Sequence, residues 1–387
     1  MLQDRTKYLP INWFDGMSIN KNHFIALENY FKEAINDAIG QRTGKNNYGL
    51  LPTNKEVQAI SIEADSRNVL HIRIKELRAV TLCGARIEIT ADTIPVLELT
   101  GKIADFVPTD NEETNYSVVL TVDPFAREPF GNADPEETPP RKPFVLPSYH
   151  INLVPTKELD NSEIGLFHLT LGKLTIKNGE CTVDQSYIPP CTNVESHPLL
   201  MEFFYRVEKL MMELEHYVLI IVQKVRGKNQ KNTLALTVNY LAENILNYLN
   251  YNLPSITMQL KYQAPVNLIE KIAVLGRVTH NSIDTWQGNG KEELINYLVE
   301  WCELNQGLFD KTLAELSGLV YKHHDIATSL KKTDNFLRML VPLLKSLSEL
   351  DYIGKKVDTT LFVTEENDAT DDRMEQSVDK KNWFKKF

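Results

Sequence analysis

The sequence contains little that would support catalysis, metal binding or membrane insertion. Only four of its 387 residues are cysteines, and no two of them have the CxxC spacing of zinc or redox sites. Sparse thiols of this kind are typical of a reducing compartment. The longest hydrophobic run, from Tyr217 to Val222, is far shorter than the roughly 20 apolar residues that cross a bilayer. We therefore expect a soluble, cytoplasmic protein.

The charge balance argues against nucleic-acid binding. The chain has 42 Lys and Arg against 52 Asp and Glu, a net charge of −10, whereas phosphate binding requires clustered positive charge. The main basic cluster is Lys224, Arg226, Lys228 and Lys231, which falls at a predicted helix end, where cations stabilise the helix dipole. The first residues, MLQDRTKYLP, have no apolar core, so we expect no signal peptide.

Motifs for catalysis are also missing: there is no HExxH, no GxSxG and no Rossmann fingerprint. The segment Gly288-Asn289-Gly290-Lys291 lacks the first glycine of a phosphate loop, so it favours a plain turn before a helix. His323-His324-Asp325 could ligate a metal, but adjacent histidines on a helix point about 100° apart. We therefore predict a protein that is not an enzyme and that needs no cofactor, metal or small-molecule substrate.

The first half of the chain predicts one helix followed by short strands. Apolar residues recur at helical spacing from Lys21 to Gly40, with Asn20 as the N-cap, and the period changes to two from Val57. The strands are predicted at residues 70–74, 86–90, 96–100, 117–122, 150–154, 166–176 and 182–188. Because no crossover helix separates them, they predict an antiparallel β-sandwich or barrel.

A proline-rich segment, residues 123–147, interrupts this pattern with seven prolines. Proline fixes φ and cannot donate a backbone hydrogen bond. We therefore predict an extended strap in place of a central strand.

The second half, residues 191–352, predicts an α-helical bundle. Its longest helix runs from His197 to Arg226, and its apolar residues alternate in steps of four and three to form a heptad seam. The seam consists of Leu200, Phe204, Val207, Met211, Leu214, Val218, Ile221 and Val225. It fits self-association and packing within the chain's own bundle equally well. Further helices are predicted at residues 233–251, 265–282, 291–304, 308–329 and 334–350, the last kinked at Pro342.

Three segments together carry a family pattern. They are Trp13-Phe14-Asp15-Gly16-Met17 with His23-Phe24, then the strap around Arg127 and Pro139-Pro140-Arg141, and finally Tyr187-Ile188-Pro189-Pro190-Cys191 before the long helix. In this order and spacing they resemble the TssK family, the baseplate adaptors of bacterial type VI secretion systems.

The resemblance implies a homotrimer with an N-terminal β-sandwich shoulder (residues 1–190) and a helical neck (residues 191–352), a fold of the α+β class. It implies the baseplate wedge proteins TssF and TssG as partners, with a membrane-complex protein beyond them, and a position at the inner membrane. The eight seam residues would form the trimer. The candidate partner-binding residues are Trp13, Asp15, Gly16, Met17, His23, Phe24, Arg127 and Arg141.

Two alternatives remain open for the first segment. The turn at Asp15-Gly16-Met17 would deliver Trp13 and Phe24 as apolar anchors, either to a partner or to the chain's own sandwich. His23 fits a structural role as well as a contact with a partner.

Residues 353–387 are predicted to be a disordered, charged tail. Members of the family carry a β-rich head here, which we expect to be missing. The tail residues Trp383, Phe384 and Phe387 are candidates for a linear docking motif, the alternative being a solubilising end. For the whole chain, the alternative function is a phage-type receptor-binding protein that binds glycans.

Overall fold

The structure, a computed structural model, describes residues 6–53, 58–106, 114–159, 167–177, 180–286 and 288–354. The first half consists mainly of strands and the second half of helices, so the predicted combination of antiparallel sheets and helices is confirmed. The strands are β1 (Gly49–Leu50), β2 (Ala59–Ala64), β3 (Val69–Val80), β4 (Arg86–Ile89), β5 (Leu97–Lys102), β6 (Thr114–Phe130), β7 (Phe144–Pro155), β8 (His168–Lys177) and β9 (Glu180–Val183). The helices are α1 (Lys21–Thr43), α2 (Ile103–Phe106), α3 (Thr156–Leu159), α4 (Pro198–Gly227), α5 (Thr233–Met258), α6 (Pro265–Asp284), α7 (Asn289–Cys302), α8 (Gln306–Ser317) and α9 (Ile326–Glu349).

The strands form two sheets in which every named pair is antiparallel, as the sequence predicts. In the five-stranded sheet, β3 pairs with β2 and β5 along its first half and with β1 and β4 along its second. The four-stranded sheet has the order β7-β6-β8-β9. The sheets approach closely at Gly172, where an added Cβ would lie 2.3 Å from Ile62. A glycine here therefore allows the two faces to share one buried core.

The proline-rich strap is only partly a strap. Residues 123–130 continue β6 and residues 144–147 begin β7, so both ends belong to one long hairpin. Beyond a register shift after Asp123, this arm of β6 pairs with β7 and with no other strand among the described residues, whereas Thr114–Thr121 also pairs with β8. Prolines are tolerated in such a one-sided pairing because one edge of the strand needs no donor. The one-sided pairing of residues 123–130 fits the prediction that this segment is not a central strand, but both of its ends are paired strands of a hairpin and not a strap.

The helical half forms a bundle around α4, which packs against α5 and α9. The two largest errors among the predicted helix boundaries lie here. The helix expected over residues 308–329 ends at Ser317, and α9 begins at Ile326 instead of residue 334. Between them lies a loop, residues 318–325, which we call the clasp loop. Helix α9 runs through Pro342 as one element, so the helix does not restart there.

Candidate protein-docking site

The N-terminal segment, helix α1 and the start of the hairpin arm lie together. Glu33 on α1 is buried and accepts hydrogen bonds at 2.8 Å from the backbone amides of both Lys7 and Tyr8. The Tyr8 ring packs on Phe125 of β6, with 4.6 Å between ring centroids, and Lys32 Nζ donates to the Pro124 carbonyl at 3.3 Å. We call this surface, formed by residues 6–20, the outward side of α1 and the hairpin arm, the N-terminal face.

The predicted turn around Gly16 is present. Gly16 has φ +83°, a conformation that favours glycine, and the Met17 amide donates to the Phe14 carbonyl at 3.3 Å. Asp15 is exposed and Met17 is half-buried. Trp13 is 45% exposed and Phe24 56% exposed, so the described part of the chain does not bury these aromatic side chains.

His23 has a structural role in this segment. Its Nδ1 accepts a hydrogen bond from the Asn20 amide at 3.2 Å, while the Asn20 side chain accepts one from the Asn22 amide at 2.9 Å. These contacts form a capping box at the start of α1. The His23 ring also lies 6.1 Å from the Trp13 ring, centroid to centroid, so the cap and the turn support each other. Its proposed contact with a partner remains a prediction.

The two candidate arginines have different neighbours. Arg127, on the hairpin arm, forms an ion pair with Glu28 on α1 and so joins two parts of the N-terminal face. Arg141 pairs within its own loop with Glu137, 2.5 Å away. Arg127 therefore belongs to the same N-terminal face as Trp13 and Phe24. Arg141 is instead paired with Glu137, in its own loop.

Helix α1 buries polar residues and exposes apolar ones. Its buried residues are Asn29, Glu33 and Gly40, whereas Phe24, Phe31 and Ile35 are each more than half exposed. Exposed apolar residues are normal when they are scattered, but a continuous stripe on one helix marks an interaction surface. This exposure of Phe31 and Ile35 was not predicted. The only sequence signal was their helical spacing, which does not say which side of the helix faces the sheets.

The buried side of α1 is polar because the helix lies very close to a turn between β3 and β4. An added Cβ on Gly84 would lie 2.1 Å from the Asn36 carbonyl oxygen, and one on Gly40 would lie 3.1 Å from the Cys83 carbonyl carbon. At such short distances backbone meets backbone and large side chains do not fit. The large apolar residues of α1 therefore point away from the sheets.

The heptad seam of α4 lies inside the bundle. All eight of its residues are buried, with exposures of 0–4%. Helices α5 and α9 cover α4 within the same chain. This supports packing in the chain's own bundle, the alternative left open by the sequence, and trimerisation through these residues remains a prediction.

The clasp loop joins the helical half to the sheets. His323, 4% exposed, bonds through Nε2 to the Tyr48 carbonyl at 2.8 Å and through Nδ1 to the Tyr321 hydroxyl at 2.7 Å. A carbonyl only accepts, so Nε2 carries the proton and neutral Nδ1 accepts from Tyr321. Burial lowers the pKa of His323 to about 4. Asp325 forms an ion pair with Lys173 of β8 at 3.1 Å.

The same junction contains the proline motif before α4. The Leu50 amide donates to the Pro190 carbonyl at 2.7 Å, and Leu50 forms a parallel bridge with Cys191. The Tyr187 hydroxyl donates to the His324 carbonyl at 3.1 Å. The change from strand to helix therefore occurs at a buried, hydrogen-bonded junction. Residues 323–325 were expected on a helix, and that expectation was wrong because they belong to the clasp loop.

Metal binding and thiol chemistry find little support among the described residues. Within them, no group of three or more His, Cys, Asp or Glu could hold a metal ion. Burial raises the pKa of the Cys191 thiol well above its usual range, which disfavours the reactive thiolate. Gly288 has φ +75° directly before α7, as expected for a turn that precedes a helix. None of the helices described is long and apolar enough to cross a membrane.

Three candidate residues, Trp383, Phe384 and Phe387, lie outside the described residues, as does the tail from residue 355 onwards. The basic cluster at the end of α4 is described. Lys224 Nζ donates to the Ser348 carbonyl at 2.6 Å and Lys228 donates to the Asp351 carbonyl. These lysines therefore satisfy backbone carbonyls at and beyond the end of α9.

The combination of antiparallel sheets and a helical bundle is shared with a solved structure. A crystal structure of TssK matches this chain with a TM-score of 0.50 and 14% identity, over 85% of this chain and 69% of that one. Residues 132–269 match the sequence model of a family described as "Bacterial Type VI secretion", with the names EvfL, ImpJ and VasE. The resemblance of the chain to the TssK family of type VI secretion proteins is therefore confirmed.

Two further solved structures resemble the chain less closely. One is described as the baseplate complex from the type VI secretion system, with a TM-score of 0.48, 14% identity and coverage of 88% of this chain and 100% of that one. The other is a TssK-TssF-TssG baseplate subcomplex, with a TM-score of 0.41, 15% identity and coverage of 89% and 99%. No curated protein sequence matches the chain significantly.

Proposed function

We propose that this chain is a structural component of a type VI secretion baseplate and that it acts by binding other proteins through the N-terminal face. The observation that carries the proposal is the reversed polarity of α1, which exposes Phe24, Phe31 and Ile35 and buries Glu33. Fully burying one such side chain contributes about 1.5–3 kcal/mol. Since each is about half buried already, docking of a partner would gain about 1 kcal/mol from each.

The partners that we propose are TssF and TssG, as the family resemblance implies. Trp13 and Phe24 are suitable anchors for them because large, partly exposed aromatic side chains dominate the energetics of many interfaces. The Gly16 turn and the His23 cap hold these side chains in position before binding, which lowers the entropy lost on docking. The chain would then link this wedge to the membrane-side assembly from the cytoplasmic side of the inner membrane.

The proposed function includes a homotrimer. Trimerisation through the heptad seam remains a prediction. Because α5 and α9 cover that seam within the chain, we propose additional contacts between copies on surfaces that remain exposed. The second half of α1 is such a surface, with Phe31, Ile35 and Ile39 exposed. Ala34 and Ala38 lie between them and are also exposed, and small side chains one turn apart allow a second helix to approach closely. Trp13 and Phe24 then remain available to bind the wedge proteins.

The experiment is co-expression of the chain with TssF and TssG from the same gene cluster, followed by pull-down and light scattering. We expect Trp13→Ala with Phe24→Ala to abolish capture of the wedge proteins and to leave the trimer intact. We expect Phe31→Glu with Ile35→Glu to yield monomers. A matched control is Tyr251→Glu, which changes an apolar residue that is 85% exposed on α5.

Two results would contradict the proposal. One is a wild-type chain that captures neither TssF nor TssG. The other is capture that survives the changes at Trp13 and Phe24 as well as it survives Tyr251→Glu. Light scattering on the same samples separates a failed trimer from a failed contact with the wedge.

A further inference from the structure

We propose that residues 380–387 of this chain, KKNWFKKF, dock on the outer side of its own helix α4. The seam of α4 faces the bundle, but its opposite side remains uncovered within the described residues. Three large apolar side chains recur there at intervals of seven: Tyr205 is 57% exposed, Met212 47% and Leu219 41%. This stripe is independent of the N-terminal face.

A shallow groove of about 390 Å³ lies along this stripe. Its apolar lining comes from Tyr205, Met212 and Tyr217, and its charged lining includes Glu208 and Glu213. The volume is within the range of about 300–1,000 Å³ of typical ligand sites. The groove can therefore accept one or two bulky side chains beside carboxylates.

The charge on this side of α4 is acidic. Glu202, Glu208, Glu213 and Glu215 lie within the same four turns. The cations among them are Lys209, 3.9 Å from Glu213, and Arg206, which pairs with Asp334 of α9. A fitting occupant is therefore basic as well as apolar. Residues 380–387 combine four lysines with Trp383, Phe384 and Phe387, which matches both requirements.

The last described residues lie close enough to α4 for the tail to reach the groove. Its last described residues are held at the far end of α4 and just beyond it, where Lys224 Nζ donates to the Ser348 carbonyl at 2.6 Å and Asn232 Nδ2 donates to the Ile353 carbonyl at 3.2 Å. The 25 residues from 355 to 379 connect Gly354, the last described residue, to the docking segment. They span at most about 80 Å. Met212 is 12 residues from Lys224, only about 18 Å along the helix.

A second copy of α4 fits this surface less well than the tail. A helix seam needs two apolar positions in every heptad, whereas here each apolar residue alternates with a polar one. The polar positions are Glu202, Lys209, His216 and Gln223. Two copies would also bring their glutamates together, and like charges repel.

The test is photo-crosslinking in the full-length chain, with p-benzoylphenylalanine in place of Phe384 and mass spectrometry of the products. We expect crosslinks to residues 202–219 in a product of monomer mass. Glu208→Lys with Glu213→Lys should lower the yield about fivefold, the effect of losing two exposed ion pairs. Lys385→Glu with Lys386→Glu in the same chain should restore it.

Glu300→Lys with Glu303→Lys on and after α7 is the matched control and should not change the yield. Circular dichroism establishes that each variant is folded, which is expected because the substituted residues lie on the surface. Three results would each overturn the proposal. They are crosslinks only to other regions, crosslinks only between two chains, and a yield that does not change when Glu208 and Glu213 are replaced by lysine.

Discussion

Mild acid should weaken the junction between the two halves through His323. The buried ring is neutral in the folded protein, where its pKa is about 4, and it regains the ordinary pKa of 6.5 on unfolding. The cause is burial, and the nearby His324 acts in the same direction. Because the unfolded chain binds the proton more tightly, this contribution to stability is fully present above pH 6.5 and is lost as the pH falls towards 4.

The size of the effect follows from these two pKa values. At pH 5 the protonation of His323 raises the unfolding equilibrium constant by a factor of about 30. This lowers the free energy of unfolding by about 2 kcal/mol relative to pH 7. In structural terms, a proton on Nδ1 removes the acceptor that the Tyr321 hydroxyl uses, while the bond from Nε2 to Tyr48 remains.

The assay is urea unfolding at pH 7 and pH 5 for the wild type and for His323→Gln, followed by circular dichroism. Glutamine can still donate to the Tyr48 carbonyl but does not titrate in this range. Burial also lowers the pKa of His197 to about 4, and this residue remains in both proteins, so its contribution cancels in the comparison. We expect the wild type to lose about 2 kcal/mol more than the variant between the two pH values. Equal losses would refute the reasoning.

Two further predictions concern the backbone at the junction and the N-terminal face. Gly49→Ala should destabilise the fold by about 2 kcal/mol or more in the same urea assay, because Gly49 has φ +113° and an added Cβ would lie 1.9 Å from the Pro190 carbonyl oxygen; unchanged unfolding would contradict the described junction. Glu33→Ala removes the acceptor of the Lys7 and Tyr8 amides, so limited proteolysis should cut within residues 6–20 several times faster; an unchanged rate would show that these two hydrogen bonds do not hold the segment.

The sequence was informative wherever one periodicity dominated. Helix α4 was predicted within one residue at each end because its apolar residues keep one spacing over eight turns. The strands followed from a period of two, and Leu70, Ile72 and Ile74 are all buried as that pattern requires. The capping position of Asn20 was likewise readable from residue type alone.

The clasp loop was missed for a physical reason. Leu319 and Tyr321 continue an apolar pattern that is compatible with a helix, so residues 308–329 were predicted as one element. Gly318, the C-cap of α8, was a local stop signal, but the loop that follows it is held by distant partners, Tyr48 for His323 and Lys173 for Asp325, which no local pattern contains. Long-range contacts of this kind override local propensity.

The candidate site was only partly predictable. The turn and the cap depend on Gly16 and Asn20 and were visible, but the exposed side of α1 was not. The same spacing of Phe24, Phe31 and Ile35 fits a helix packed on a sheet and a helix facing a partner. The choice is made by the close contact of Gly40 and Gly84 with neighbouring backbone, which is a tertiary property.

The bond between His323 and the Tyr48 carbonyl spans 275 residues of sequence. A ribosome adds about 5–20 residues per second, so Tyr48 is made roughly 14–55 s before His323. During that interval the nascent β half has its strands but lacks the partner of Tyr48. The order of synthesis therefore makes the clasp loop the last part of the junction to close, and a chain that stalls before residue 323 leaves this edge of the sheets open to chaperones and proteases.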